Sequence, residues 1–224
     1  MASDSDGEEW TAPFAPHEDG DPRSLAPSVS TPLLRVQEGV DLARITAADV
    51  VCDLGCGDAA MLLHLHALTG ARCVGYEINS EQLEVARAAV AAAGVGDRVS
   101  VEDRDLLNVD LARFTVIFTF LTPWAVPQLQ GRFRAEILER GARVVGYMWE
   151  YDALTKGGQI LVERAASMQM FCYTAADGHV QADAAAMSPP PPRTASPLPP
   201  DADAARRRPP PPGSESAPRL ARNI

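Results

Sequence analysis

The chain has 224 residues, is 46% hydrophobic and carries a formal charge of −10. That length and apolar content supply one domain with a sizeable core, while the acidic balance argues against tight, non-specific binding to nucleic-acid phosphates. No run of about 18 apolar residues exists to span a membrane. The four cysteines, Cys52, Cys56, Cys73 and Cys172, form no CxxC or Cys/His pattern, so buried free thiols are expected and no metal set.

Residues 1–26 mix Asp, Glu, Gly and Pro with few aromatics and read as a disordered acidic leader. They carry neither an apolar signal region nor an Arg-rich transit pattern, so a soluble, cytoplasmic protein is expected. Residues 31–187 hold twenty acids and thirteen bases, an acidic surface that would suit a cationic protein partner. At Thr31-Pro32 a helical pattern begins, with Thr31 as N-cap, Pro32 in the first turn and apolar positions recurring through Ile45.

Val50 to Met61, VVCDLGCGDAAM, is the stretch around which the chain is organised. A buried apolar strand breaks at Gly55 and Gly57 and passes into a helix, a ligand-binding corner of open α/β sheets. Asp53 would repel a pyrophosphate but tolerate a ligand carrying an ammonium or sulfonium group. Ala59 is small enough for close helix packing. Cys56, inside the turn, could touch the ligand or be reactive, and no catalytic role is assigned to it.

Beyond the corner the spacing predicts a helix over 59–68, a strand over 72–78 and a helix capped by Asn79 or Ser80 and stopped by Gly94. Glu77 closes that strand twenty residues after the turn, where a carboxylate can accept from two ribose hydroxyls; a solvated charge at a strand end is the plainer alternative. A third strand over 98–102 leads into Glu102, Asp103 and Asp105. Residues 114–123, FTVIFTFLTP, read as a fourth, central strand; then come a helix over 128–138 and strands over 143–149, 159–164 and 168–174. Trp124 could hold an ammonium by a cation–π contact or could simply pack. Residues 188–224 read as a disordered Pro/Arg-rich tail whose composition suits either SH3- or WW-type modules or simple solubilisation of the chain.

DLGCGD followed by GYEIN resembles motif I and the ribose-binding strand of class I, seven-stranded, S-adenosyl-L-methionine (SAM)-dependent methyltransferases. With Thr31-Pro32 upstream, F-L-T-P downstream and GARVV, residues 27–150 resemble the branch that methylates lysines of the ATP synthase c-subunit and the adenine nucleotide translocase. The resemblance implies a Rossmann-like, doubly wound, mostly parallel seven-stranded sheet over residues 27–187, with helices on both faces and the last strand antiparallel. It implies SAM as cofactor, held by Asp53, Gly55, Gly57, Glu77 and Asp105, the last (or Asp103) facing the adenine amine. It also implies transfer to an amine nitrogen, that of a protein lysine, and admits a mitochondrial location. Leu121-Thr122-Pro123-Trp124 replaces the N/D-P-P-Y/F of adenine-DNA and glutamine methyltransferases and argues against them. Asp58, Thr122 and Glu150 are weak candidates for a base, and none is assigned. A small-molecule methyltransferase and a non-catalytic SAM-binding partner protein are the alternatives.

Overall fold

The computed structural model describes residues 29–122 and 125–176. The acidic leader, the Pro/Arg-rich tail and Trp124 lie outside the described residues. One seven-stranded sheet organises the rest: β1 (Val50–Leu54), β2 (Arg72–Glu77), β3 (Val99–Asp103), β4 (Val116–Thr119), β5 (Arg143–Tyr147), β6 (Ile160–Arg164) and β7 (Met170–Ala175). Their order is β3-β2-β1-β4-β5-β7-β6. All neighbours pair in parallel except β7, antiparallel to both β5 and β6. The order reverses between β1 and β4, and such a switch point opens a crevice at the carboxyl ends of the strands.

Alternation along the strands sends Val51, Cys73, Val116, Phe118 and Val145 to one face and Cys52, Val74, Ile117 and Val144 to the other. Three helices cover the first face: α1 (Leu33–Ala43), α2 (Ala60–Thr69) and α3 (Ser80–Ala93). The second is covered by α4 (Val126–Arg140), the single turn α5 (Asp152–Thr155) and the loop residues Val109, Leu111 and Phe114. The β3 to β4 crossover is thus a short 3-10 turn (Leu106–Asn108) and coil rather than an α-helix.

Three local expectations shift. Pro32 rather than Thr31 stands at the α1 N-cap, its carbonyl accepting from the Arg35 and Val36 amides, and Arg44 turns left-handed (φ 51) so that the helix stops before Ile45. β4 is only four residues long: Phe120 and Leu121 continue the apolar run, but they pack beyond the sheet edge. β5 ends at Tyr147, two residues short of the expected 149, and the single turn α5 follows.

At the amino edge of the sheet Asp49 ties four elements together. Its carboxylate accepts from the Thr46 amide (2.8 Å), the Thr115 hydroxyl (2.7 Å) and the Arg143 guanidinium, while Arg143 also donates to the Ala43 carbonyl at the end of α1 (2.6 Å). Among the described residues no helix is long and apolar enough to cross a membrane.

Candidate active site

β1 ends in a bend that only a left-handed backbone can make. Gly55 has φ 86 and Gly57 φ 52, and the Gly55 and Cys56 amides both donate to the Tyr76 carbonyl (2.9 and 3.0 Å), fastening the bend to β2. Among the described residues, a Cβ on Gly55 would meet no atom within 4 Å, so none of them fills the space over the bend. Ala59, the last residue before α2, is also left-handed, with φ 64, and fully buried. Its departure from glycine therefore strains the backbone, by about 1 kcal/mol, and is more than a matter of size.

β2 brings Glu77 to this bend. Its Oε2 accepts from the Gly57 amide at 2.9 Å, and its Oε1 accepts from the amides of Ile78 (2.8 Å) and Asn79 (2.9 Å). Asn79 in turn caps α3, accepting from the Glu81 and Gln82 amides. Asp53 lies inside the same corner, 6% exposed, and its carboxylate accepts no hydrogen bond among the described residues. Burial first, and the charge of Glu77 second, raise its pKa well above the usual carboxylate range. Asp105 sits on the same rim, just beyond the end of β3, where it caps the 3-10 turn: Oδ1 accepts from the Leu107 amide (2.9 Å) and Oδ2 from the Asn108 side chain (2.8 Å). Each oxygen keeps a lone pair for another donor.

The side chains considered as bases are otherwise engaged. Asp58 accepts from the Ala60 amide (3.0 Å), Glu150 receives two hydrogen bonds from Arg164, and Thr122 is buried, 3% exposed. Cys56 is buried, its thiol pKa pushed up by burial and then by Asp53 and Glu77, and its sulfur lies where a Cβ on Gly75 would stand (2.5 Å), so it is packing rather than a nucleophile. All four cysteines are free and buried.

Several residues at the carboxyl edge escaped the sequence reading. Tyr151 is 4% exposed; its hydroxyl lies 3.4 Å from Thr119 Oγ1, its amide donates to the Tyr173 hydroxyl (2.6 Å), and its ring lies against Gly146 and stacks on Tyr173 at 5.5 Å. Tyr147 and Trp149 meet Phe120 at 4.6 and 6.0 Å. The signal was present as aromatics at alternate positions in Tyr147-Met-Trp149-Glu-Tyr151.

These residues fit SAM: Asp53 is a buried carboxylate that accepts no hydrogen bond among the described residues, suited to a cationic ligand, and no described atom fills the space over Gly55. Fold and corner define a Rossmann-like, SAM-dependent methyltransferase. The solved RNA methyltransferase from Salinibacter ruber in complex with S-adenosyl-L-homocysteine superimposes with a TM-score of 0.58 at 26% identity, over 69% of this chain and 98% of that one. The family model of the ANTKMT methyltransferase domain matches residues 53–156. The protein-lysine N-methyltransferase of Saccharolobus islandicus (strain REY15A) is 32% identical over 125 residues, 55% of this chain and 77% of its own length. The mouse adenine nucleotide translocase lysine N-methyltransferase is 32% identical over 123 residues, 55% of this chain and 53% of its own, so the chain spans about half of that relative. The chain belongs to the same family as the Saccharolobus islandicus protein-lysine N-methyltransferase.

Proposed function

We propose that the chain is a protein-lysine N-methyltransferase, moving a methyl group from SAM to the ε-amine of a lysine in another protein. The observation that carries this reading is that the segment matching the family, residues 53–156, is the one that builds the glycine bend, Glu77, Asp105 and the carboxyl ends of β4 and β5. Three relatives, at 31–32% identity, are named lysine N-methyltransferases.

Glu77 would take the ribose hydroxyls, Asp105 the adenine amine and Asp53 the ligand's positive charge, while Gly55 and Gly57 leave room for its backbone-side approach. When bound, SAM supplies a methyl on a sulfonium, already activated for displacement by a neutral amine. The chain's own contribution is alignment and partial desolvation of that amine. With Asp58 and Glu150 engaged elsewhere, no general base is assigned and the lysine proton leaves to water before transfer.

A second reading, an RNA acceptor, is favoured by the Salinibacter ruber structure. Residues 29–176 carry eighteen acids and thirteen bases, which weighs against a phosphate backbone. Incubation with methyl-labelled SAM and a cell extract tests the readings together. Label in protein, recovered as methyl-lysine on hydrolysis, is expected. Label sensitive to nuclease, or found only in a protein-free fraction, would sink the lysine reading in favour of RNA or a small molecule. SAM binding with no transfer to any fraction would leave a non-catalytic partner protein.

A further inference from the structure

Side by side with the cofactor corner, the carboxyl edge carries an aromatic band to which no role has been given. Leu54 of β1 and Thr119 of β4 are register partners, so the next residues, Gly55 and Phe120, leave the sheet as neighbours about 5 Å apart. Phe120 is half-buried and meets Tyr147 at 4.6 Å, edge to face, and Trp149 at 6.0 Å with the rings 27° from parallel. Tyr147 belongs to the core beneath α1, α2 and α3, whereas Trp149 packs against the core beneath α4. The three rings therefore straddle the sheet edge. Met148, between Tyr147 and Trp149, is what makes that possible: it has φ 77, a strained conformation for a side-chain-bearing residue, and it turns the chain after β5.

We propose that Phe120 and Trp149, both half-buried and backed by the buried Tyr147, form the seat of the acceptor lysine, the rings packing along its aliphatic stem and presenting a π face to its nitrogen. This rests on the lysine reading above and extends it to the residues that select the substrate. Asp53, Glu77 and Asp105 lie on the β1, β2 and β3 side of the switch point, leaving the β4 and β5 side for the nucleophile. A lysine side chain is an apolar rod with a cationic tip, and an aromatic wall matches both parts. The carboxylate next in sequence, Glu150, is already bound by Arg164, so the rings rather than a free acid meet the amine. An apolar seat also favours the neutral amine that transfer needs.

The test uses the full chain and an adenosyl probe carrying, in place of the methyl group, an ethylene-linked butylamino arm (–CH2CH2–NH–C4H9), which sets the nitrogen next to the donor and leads the alkyl stem outward as in a lysine, compared with the same probe bearing CH2 for the NH and with S-adenosylhomocysteine. Wild type is expected to bind the amine-containing probe at least tenfold more tightly than its all-carbon counterpart. Phe120→Leu and Trp149→Leu, which stay apolar without the π face, are each expected to lose several-fold of that gain while the protein stays folded and keeps its S-adenosylhomocysteine affinity. Trp149→Tyr, which keeps a ring, is expected to retain most of it. If wild type shows the gain and both leucine variants keep it, the aromatic seat is wrong while the lysine acceptor stands. If wild type binds S-adenosylhomocysteine but gains nothing from the amine, the lysine reading itself is overturned.

Discussion

The Glu77 carboxylate accepts a hydrogen bond from the Gly57 amide at 2.9 Å, joining the end of β2 to the bend that follows β1. One side chain thus holds the bend and the exit of β2 together. Glu77→Ala removes the acceptor of three backbone N–H groups at once. It is expected to cost about 1–3 kcal/mol of stability and to weaken S-adenosylhomocysteine binding by roughly two orders of magnitude. Glu77→Gln has one oxygen and must aim its amide nitrogen at an N–H donor, so it should fall between wild type and alanine. Thermal melting and calorimetry check both; a Glu77→Ala protein that binds normally would remove Glu77 from the cofactor site.

Asp53 should trade stability for binding. Because its pKa is raised in the folded state, by burial and then by Glu77, the folded protein holds this proton more tightly than the unfolded chain. Its contribution to stability is full below the ordinary carboxylate pKa and is lost as pH rises through the raised value. Asp53→Asn is therefore expected to melt higher than wild type at neutral pH without ligand, yet to bind SAM roughly tenfold or more weakly. A cationic ligand that favours the ionised form should release a proton on binding. Calorimetry in two buffers of different ionisation enthalpy reads that release, and identical heats in both would contradict it.

Ala59 should prefer to be glycine. Its backbone sits at φ 64, and relief of that strain is worth about 1 kcal/mol, against a smaller loss from one buried methyl group. Ala59→Gly is expected to match or exceed wild-type stability in urea unfolding while keeping cofactor affinity. Ala59→Val, branched at Cβ in the left-handed region, should destabilise markedly.

Asp49 is expected to matter for folding alone. Asp49→Ala strips partners from Thr46, Thr115 and Arg143 at the amino edge, and leaving the Arg143 charge short of its counterion costs about 3 kcal/mol. Affinity for S-adenosylhomocysteine, measured well below the melting temperature, should stay within a factor of two because the cofactor corner is at the opposite edge. Adding Arg143→Met should restore part of the stability, and a double variant no better than the single would show that the pair is not the cause.

Much of this protein could be read from its residues alone, because the decisive signals are local. A run such as VVCDL followed by Gly-Cys-Gly can bury as a parallel strand and then bend, and Asn79, Gly94 and Gly141 each end or begin a helix by their own backbone and side-chain chemistry. The twenty-residue interval from Gly57 to Glu77 is one helix and one strand, so the meeting of those two residues follows from chain length and handedness. Tertiary packing decided the rest. Apolar residues resume past Thr119 at Phe120 and Leu121, so composition gave no mark for where β4 leaves the sheet; neighbours β1 and β5 set that limit. The left-handed turns at Ala59 and Met148 are imposed by surrounding structure on residues that do not favour them. The union of Phe120 with Tyr147 and Trp149 depends on β4 and β5 lying side by side, a long-range pairing that no local pattern encodes.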